Sequence, residues 1–112
     1  MSQQLSGKTV IVTGAAGGLG RAFALGFADR GANVVVADMN AADETVAAVE
    51  AAGGQALAVR VDVSDAQSVQ AMADAAMARF GRTDGLVNNA AYFREVKLTP
   101  FEDLDPAQWD RI

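Results

Sequence analysis

Residues 13–22, TGAAGGLGRA, stand out chemically because four of the ten are glycines. They follow an apolar run at residues 10–12, where a strand is expected, and they precede a helical pattern. Glycine has no Cβ, so the main chain can turn sharply and a bulky anion can approach its N–H groups. A helix N-terminus adds a partial charge of roughly +0.5. This stretch therefore predicts a site for the pyrophosphate of a dinucleotide.

The glycines have separate expected roles. Gly14 takes a backbone conformation closed to other residues, Gly18 lets the anion approach, and Gly20 lets the helix lie close to the strand. The predicted cofactor contacts in this stretch are Gly14, Gly17, Gly18, Leu19 and Gly20. A glycine-rich turn taken alone has an alternative interpretation, that of a tight turn without a ligand.

An acidic residue, Asp38, ends the second apolar run, 18 residues after Gly20. A carboxylate there accepts hydrogen bonds from both hydroxyls of an adenosine ribose and repels a 2′-phosphate. The next residues, Met39 and Asn40, provide no cation for such a phosphate. We therefore expect NAD rather than NADP, bound at Asp38 and Met39. An ordinary turn residue at a strand end is the alternative role for Asp38.

Composition excludes several other kinds of site. The sequence has no histidine and no cysteine, so imidazole triads and thiolate chemistry are excluded and we expect no metal site. A net charge of −5 with nine scattered basic residues argues against nucleic-acid binding. No run approaches the ~18 apolar residues of a membrane span, and residues 1–10 do not resemble a secretory signal. A cytoplasmic location is expected.

Four apolar runs predict the strands that position these residues, at 8–13, 33–38, 55–61 and 85–88. Their nearly continuous apolar character is typical of a sheet covered on both faces. Helical patterns separate them, which gives the order βαβαβαβ. Strands and helices that alternate in this way predict a Rossmann-type, doubly wound parallel sheet. We expect one dinucleotide-binding domain over residues 1–112.

The helical patterns carry start and stop signals. The first spans residues 18–30, ends at Gly31, and has an apolar stripe expected to pack on the sheet. The second begins after Asn40 as N-cap and ends at residues 53–54. The third begins with the capping-box spacing of Ser64 and Gln67 and is followed by Gly81. The expected sheet-facing residues are Leu19, Phe23 and Phe27 in the first helix, Val46 and Val49 in the second, and Val69, Met72, Ala76 and Phe80 in the third.

The spacing TGxxxGxG, met by residues 13, 14, 18 and 20, resembles that of the short-chain dehydrogenase/reductase family. Two further motifs agree with this resemblance. Asp62 and Val63 match the pair after the third strand that contacts adenine in the family, and residues 88–90 match its NNAG run, with Ala91 where glycine is common. For Asp62, a role in starting the third helix is the alternative.

The resemblance implies roles for residues around the strand ends. Thr13 and Asn88 are expected to stabilise the turn and the central strand. The cofactor-facing residues of the last motif are expected to be Asn89, Ala90 and Ala91. Short polar and small side chains suit this position because they satisfy backbone groups without filling the space for the nucleotide.

A helix start at residues 105–108 is followed by only four residues, so we expect the domain to be truncated at its C-terminal end. The resemblance implies an acid/base site of Ser, Tyr and Lys beyond Ile112. No catalytic residue is therefore expected in this chain, which is predicted to be inactive alone. Tyr92 and Lys97 lie five positions apart before Pro100 and do not form the family's +4 pair.

The function implied for the complete protein is NAD-dependent interconversion of a secondary alcohol and a ketone, by a homo-oligomer, dimeric or tetrameric. Residues 92–102 would border the substrate cleft. Two alternatives stay open: an NADPH-dependent carbonyl reductase of the 3-oxoacyl type, and a non-catalytic nucleotide-binding or interaction module. Truncation would leave the fourth strand at a sheet edge, which predicts association or poor stability.

Overall fold

The computed structural model describes residues 4–90, which form four strands and three helices in the predicted order βαβαβαβ. The strands are β1 (Thr9–Thr13), β2 (Asn33–Asp38), β3 (Gln55–Arg60) and β4 (Gly85–Val87). The helices are α1 (Gly18–Asp29), α2 (Asp43–Ala51) and α3 (Ala66–Phe80). β1, β3 and β4 are each one residue shorter than predicted, and β2 has the predicted bounds.

All strand pairs are parallel, and the strand order is β3-β2-β1-β4. The central strand β1 pairs with β2 over its full length, from Thr9 opposite Asn33 to Thr13 opposite Ala37. The sequence order runs outward from β1 to β3 and then crosses to β4 on the other side of β1. The predicted Rossmann-type parallel sheet is confirmed.

The two faces of the sheet pack into separate apolar clusters because successive strand residues point to opposite sides. On one face, Val12 of β1 and Val36 of β2 pack with α1, the start of α2 and their neighbours. On the other face, Ile11 and Val35 pack with Met72 and Ala76 of α3. Helices on both faces explain why these strands are apolar at nearly every position.

The apolar stripe predicted for α1 is wrong in part. Leu19 is 63% exposed and Phe23 is 37% exposed, whereas Phe27 packs against the core. The buried residues of α1 are the small ones, Gly20 and Ala24. A helix that lies this close to a sheet has room only for small side chains at the contact, so the larger ones lie beside it.

Two helix starts also differ from prediction. α2 begins at Asp43 with Ala42 as N-cap, two residues after the predicted Asn40, whose N–H donates to the Asp38 carboxylate at 2.9 Å. α3 begins at Ala66 with Asp65 as N-cap, and its carboxylate accepts a hydrogen bond from the Gln67 N–H.

The remaining helix predictions agree with the structure. Gly31, Gly53 and Gly81 follow the three helices with positive φ angles. The expected core residues of the later helices face the sheet: Val46 and Val49 in α2, and Val69, Met72, Ala76 and Phe80 in α3.

Among residues 4–90, β4 lies at the edge of the sheet, and its Leu86 is 58% exposed. The association expected from such an edge stays a prediction. In the same part of the chain no helix combines the length and hydropathy needed to cross a bilayer. The helix expected at residues 105–112 lies outside the described residues, as do Tyr92 and Lys97.

Candidate functional site

The candidate site lies at the carboxyl ends of β1 and β4, where the strand order reverses. β1 is followed by a connection that leads to β2 on one side, whereas β4 pairs with the other side of β1. The carboxyl ends of β1 and β4 therefore lie side by side where the strand order changes direction. In open parallel sheets this change of direction creates a crevice in which ligands bind.

The glycine-rich loop passes through this crevice in a conformation that depends on missing side chains. Gly14 has a φ of +67°, and a Cβ there would lie 3.0 Å from the Cα of Ala90. A Cβ on Gly20 would overlap the carbonyl oxygen of Gly14. Gly14 and Gly20 are therefore required by close packing between the loop, α1 and the segment after β4. This agrees with the roles expected from the sequence.

Two other glycines border open space. Among residues 4–90, a Cβ on Gly17 or Gly18 would meet nothing within 4 Å outside its chain neighbours and its own helix, although Gly18 has a φ of +57°. Gly17 is the N-cap of α1, and its backbone has no side-chain cap. By contrast, α3 is capped by the carboxylate of Asp65. The first N–H groups of α1 have no partner within the helix, so they suit an anion such as a diphosphate.

The carboxylate of Asp38 lies beside the same loop. Its Oδ2 accepts a hydrogen bond from the Ala16 N–H at 2.9 Å, and its Oδ1 accepts one from the Asn40 N–H at 2.9 Å. Each carboxylate oxygen has capacity for a further hydrogen bond. Met39, the next residue, is half exposed. The structure thus brings the Asp38 carboxylate to the loop, whereas cofactor binding by Asp38 and Met39 stays a prediction.

Thr13 links the loop to the segment after β4. Its hydroxyl oxygen accepts hydrogen bonds from the backbone N–H groups of Asn89, at 3.0 Å, and Ala90, at 3.1 Å. It also lies 3.3 Å from the carbonyl oxygen of Val87 and 3.4 Å from Oδ1 of Asn88. Asn89 and Ala90 are thereby held against the loop at Gly14, whose carbonyl accepts from Asn89 Nδ2 at 3.4 Å.

The predicted adenine contacts lie after β3. Oδ1 of Asp62 accepts hydrogen bonds from the backbone N–H of Ser64 at 3.0 Å and from its hydroxyl at 2.6 Å. Asp62 therefore shapes the turn before α3, which matches its alternative role. Val63 is 43% exposed, and a contact of this pair with adenine stays a prediction. Ala91 lies outside the described residues.

Two residues of the loop's surroundings were missed by the sequence interpretation. The Arg21 guanidinium donates to the carbonyl oxygen of Ala16 at 2.8 Å and to the hydroxyl of Thr45 at 3.0 Å. The buried Thr45 hydroxyl donates to the carbonyl oxygen of Ala15 at 2.7 Å. Sequence offered no signal for this contact, because Arg21 and Thr45 are 24 positions apart and belong to different helices.

Comparison with known proteins identifies the family of the chain. The family model described as short chain dehydrogenase matches residues 8–112. The chain belongs to the short-chain dehydrogenase family. The crystal structure of a hydroxysteroid dehydrogenase from Escherichia coli is similar to this short-chain dehydrogenase chain, with a TM-score of 0.86 and 41% sequence identity. The match covers 97% of this chain and 46% of that one.

Curated relatives also match nearly all of this chain over less than half of their own length. The chain is 42% identical to a short chain dehydrogenase/reductase from Colletotrichum higginsianum, over 99% of its own length and 41% of the relative's. It is 46% identical to 3beta-hydroxysteroid dehydrogenase 1 from Eggerthella lenta, over 100% of its own length and 43% of the relative's. The chain thus spans less than half the length of both relatives.

Proposed function

We propose that this chain forms the cofactor-binding portion of an NAD-dependent short-chain oxidoreductase that interconverts a secondary alcohol and a ketone. One observation carries the proposal. The uncapped N-terminus of α1, at Gly17 and Gly18, opens beside the carboxylate of Asp38 at the reversal of strand order. Partially positive N–H groups next to a carboxylate suit a diphosphate joined to a ribose.

Different residues are proposed to contact different parts of the cofactor. The N–H groups around Gly18 and Leu19 would hold the diphosphate, and the free acceptor capacity of Asp38 would take the ribose hydroxyls. When bound, the nicotinamide supplies a hydride donor or acceptor. The remaining proposed contacts are Gly14, Gly17 and Gly20 in the loop, Met39 after β2, Asp62 and Val63 after β3, and Asn89, Ala90 and Ala91 after β4.

Three large apolar side chains support this assignment. Leu19, Met39 and Val63 follow the carboxyl ends of three adjacent strands, and each is more than two-fifths exposed. Apolar side chains gathered at a crevice with a few polar groups are typical of small-molecule sites. These side chains would pack against the flat rings of a dinucleotide.

The catalytic half of the reaction is proposed to lie in further chain. Relatives more than twice as long as the matched region leave room for the Ser and Tyr-x-x-x-Lys acid/base site expected beyond residue 112. The 112 residues alone would then bind cofactor without turnover. For the complete protein we propose a cytoplasmic homo-oligomer, dimeric or tetrameric, that acts on a small alcohol or carbonyl substrate.

Calorimetric titration of the full-length protein with NAD and with NADP tests the cofactor assignment. Asp38→Ala should weaken NAD binding by about ten- to a hundredfold, because a charge-assisted hydrogen bond contributes about 1.5–3 kcal/mol. Asp29→Ala, which removes an exposed carboxylate at the other end of α1, is the matched control and should bind normally. Equal affinity of the wild type for NAD and NADP would refute the role of Asp38.

One observation favours the NADPH-dependent alternative. Arg60 lies opposite Asp38 in the register of β2 and β3, so it is a cation at the same edge of the sheet. If Arg60 holds a 2′-phosphate, Arg60→Met should weaken NADP binding and leave NAD binding unchanged. The non-catalytic alternative instead predicts nucleotide binding without hydride transfer by the full-length protein on any alcohol or ketone.

A further inference from the structure

The loop residues Ala15 and Ala16 use all their backbone polar groups within the protein. The two N–H groups donate to β2, at the Ala37 carbonyl oxygen (3.1 Å) and the Asp38 carboxylate (2.9 Å). The two carbonyl oxygens accept from the helices, Ala15 from Thr45 (2.7 Å) and Ala16 from Arg21 (2.8 Å). The loop is thus fixed from three elements immediately before the exposed residues Gly17 and Gly18.

The Thr45 hydroxyl is the centre of this arrangement. It donates its single proton to the Ala15 carbonyl oxygen and accepts from Arg21 Nε at 3.0 Å. Thr45 is fully buried behind the loop, so its side chain is unavailable to a ligand at the crevice. A buried hydroxyl that serves as both donor and acceptor fixes the orientation of both partners.

Arg21 is engaged by the protein rather than aimed at an anion. One nitrogen, Nη2, contacts both the Ala16 carbonyl oxygen at 2.8 Å and Glu44 Oε2 at 3.3 Å, while Nε donates to Thr45. Glu44 is 88% exposed, so this ion pair contributes little. Because the guanidinium is planar and carries several N–H groups, Arg21 can donate to the Thr45 hydroxyl and to the Ala16 carbonyl oxygen at the same time.

We infer that Thr45 and Arg21 are positioning residues that hold the glycine-rich loop in its diphosphate-binding conformation before the cofactor arrives. The inference rests on the proposed function, because it assigns the source of the loop's preorganisation. A loop that is already ordered loses less conformational entropy when it binds, so the affinity is higher. α2 thereby acts on the cofactor site through its contact with the loop.

The decisive variant is Thr45→Val in the full-length protein, with Thr45→Ser as the conservative rescue. Thr45→Val should weaken NAD and ADP binding about tenfold by calorimetry and leave adenosine binding, followed by NMR titration, within twofold. Thr45→Ser keeps the hydroxyl and should bind within twofold of wild type. Thr9→Val is the matched control, since it removes a buried hydroxyl at the opposite end of the sheet.

Variants of Arg21 distinguish the effect of its guanidinium geometry from the effect of its charge. Arg21→Lys keeps the positive charge but loses the planar fork, and it should also weaken ADP binding severalfold. Arg30→Lys, at the other end of α1, should have no effect. Because Thr45 and Arg21 act through the same loop, the losses in the double variant should be less than additive. Full ADP affinity in Arg21→Lys would show that charge alone acts, and would overturn the role of the fork.

Amide hydrogen exchange gives a readout independent of the ligand. In Thr45→Val the amide of Ala16 should exchange at least tenfold faster, whereas Val35 and Val36 in β2 should be unchanged. Loss of protection in both places would indicate general destabilisation and would overturn the inference. Wild-type protein that fails to bind NAD would contradict the proposed function, whereas wild-type affinity in Thr45→Val would contradict the positioning role alone.

Discussion

The hydroxyl oxygen of Thr13 accepts a hydrogen bond from the backbone N–H of Asn89 at 3.0 Å. These residues are 76 positions apart, yet the contact joins the carboxyl end of β1 to the segment after β4. The neighbouring N–H of Ala90 donates to the same oxygen at 3.1 Å. One side chain thus satisfies two backbone donors where the sheet ends and the crevice at the carboxyl ends of β1 and β4 begins.

Thr13→Val should destabilise the protein by about 1–3 kcal/mol, because it keeps the shape of the side chain but leaves the N–H groups of Asn89 and Ala90 without an acceptor. Urea unfolding measures the change. Thr13→Ser retains the oxygen and should recover most of the loss. Equal stability of the valine and serine variants would show that the hydroxyl has no structural role.

Two glycine substitutions should differ sharply. Gly20→Ala would bring a Cβ into the carbonyl oxygen of Gly14 and should cost about 3 kcal/mol, because backbone atoms cannot easily move apart. In Gly17→Ala the added Cβ has no atom of residues 4–90 within 4 Å beyond its chain neighbours, so stability should change by less than about 1 kcal/mol. Thermal unfolding compares them. Similar melting temperatures for the two variants would argue against close packing at Gly20.

Thr9 has a buried hydroxyl that finds no hydrogen-bond partner among residues 4–90. A buried polar group without a partner destabilises the folded state, and valine has nearly the same shape. Thr9→Val should therefore raise the free energy of unfolding by about 1 kcal/mol. Thr9→Ser, which keeps the hydroxyl and loses the methyl group, should lower it. Denaturant titration of both variants tests the assignment, and a destabilised valine variant would reveal a partner for the hydroxyl.

The Asp84 carboxylate, just before β4, accepts a hydrogen bond from the backbone N–H of Thr9 at the start of β1. We therefore expect stability to depend on pH in the acid range. Hydrogen bonds from Arg82 and from the Thr9 backbone N–H lower the pKa of the Asp84 carboxyl below its ordinary value of 3.8. Between the folded and the unfolded pKa, the unfolded state binds more protons. The contribution of Asp84 is therefore fully present above about pH 4 and is lost as the pH falls through the folded pKa.

Asp84→Asn should accordingly be less stable than wild type at pH 7, and the difference should shrink as the pH falls below about 4. Urea unfolding at a series of pH values measures it. Asp74→Asn, an exposed carboxylate on α3 bonded to Gln70, is a suitable control. A difference between Asp84→Asn and wild type that stays constant from pH 7 to pH 2 would refute the assignment.

Local sequence predicted the elements well because the interactions that define them are local. Apolar runs and helix-ending glycines such as Gly31 and Gly81 depend on neighbours within a few positions. The errors arose where nearby groups competed. The Ser64 hydroxyl donates to the Asp62 carboxylate, and Asp65 rather than Ser64 caps α3. α2 starts two residues later than expected from Asn40. Exposure of Leu19 and Phe23 depended on how closely α1 approaches the sheet, which periodicity alone does not encode.

The sequence by itself determined the strand–helix alternation and the parallel sheet. It also placed Gly14 after β1, Gly20 in the first turn of α1 and Asp38 at the end of β2, since chain order and backbone sterics are sufficient for these. Only the tertiary structure decided which side chains meet across long separations. The contacts of Thr45 with Ala15, Arg21 with Ala16, and Thr9 with Asp84 join elements that are distant in sequence. Their formation depends on the packing of whole helices and strands, and no local pattern records it.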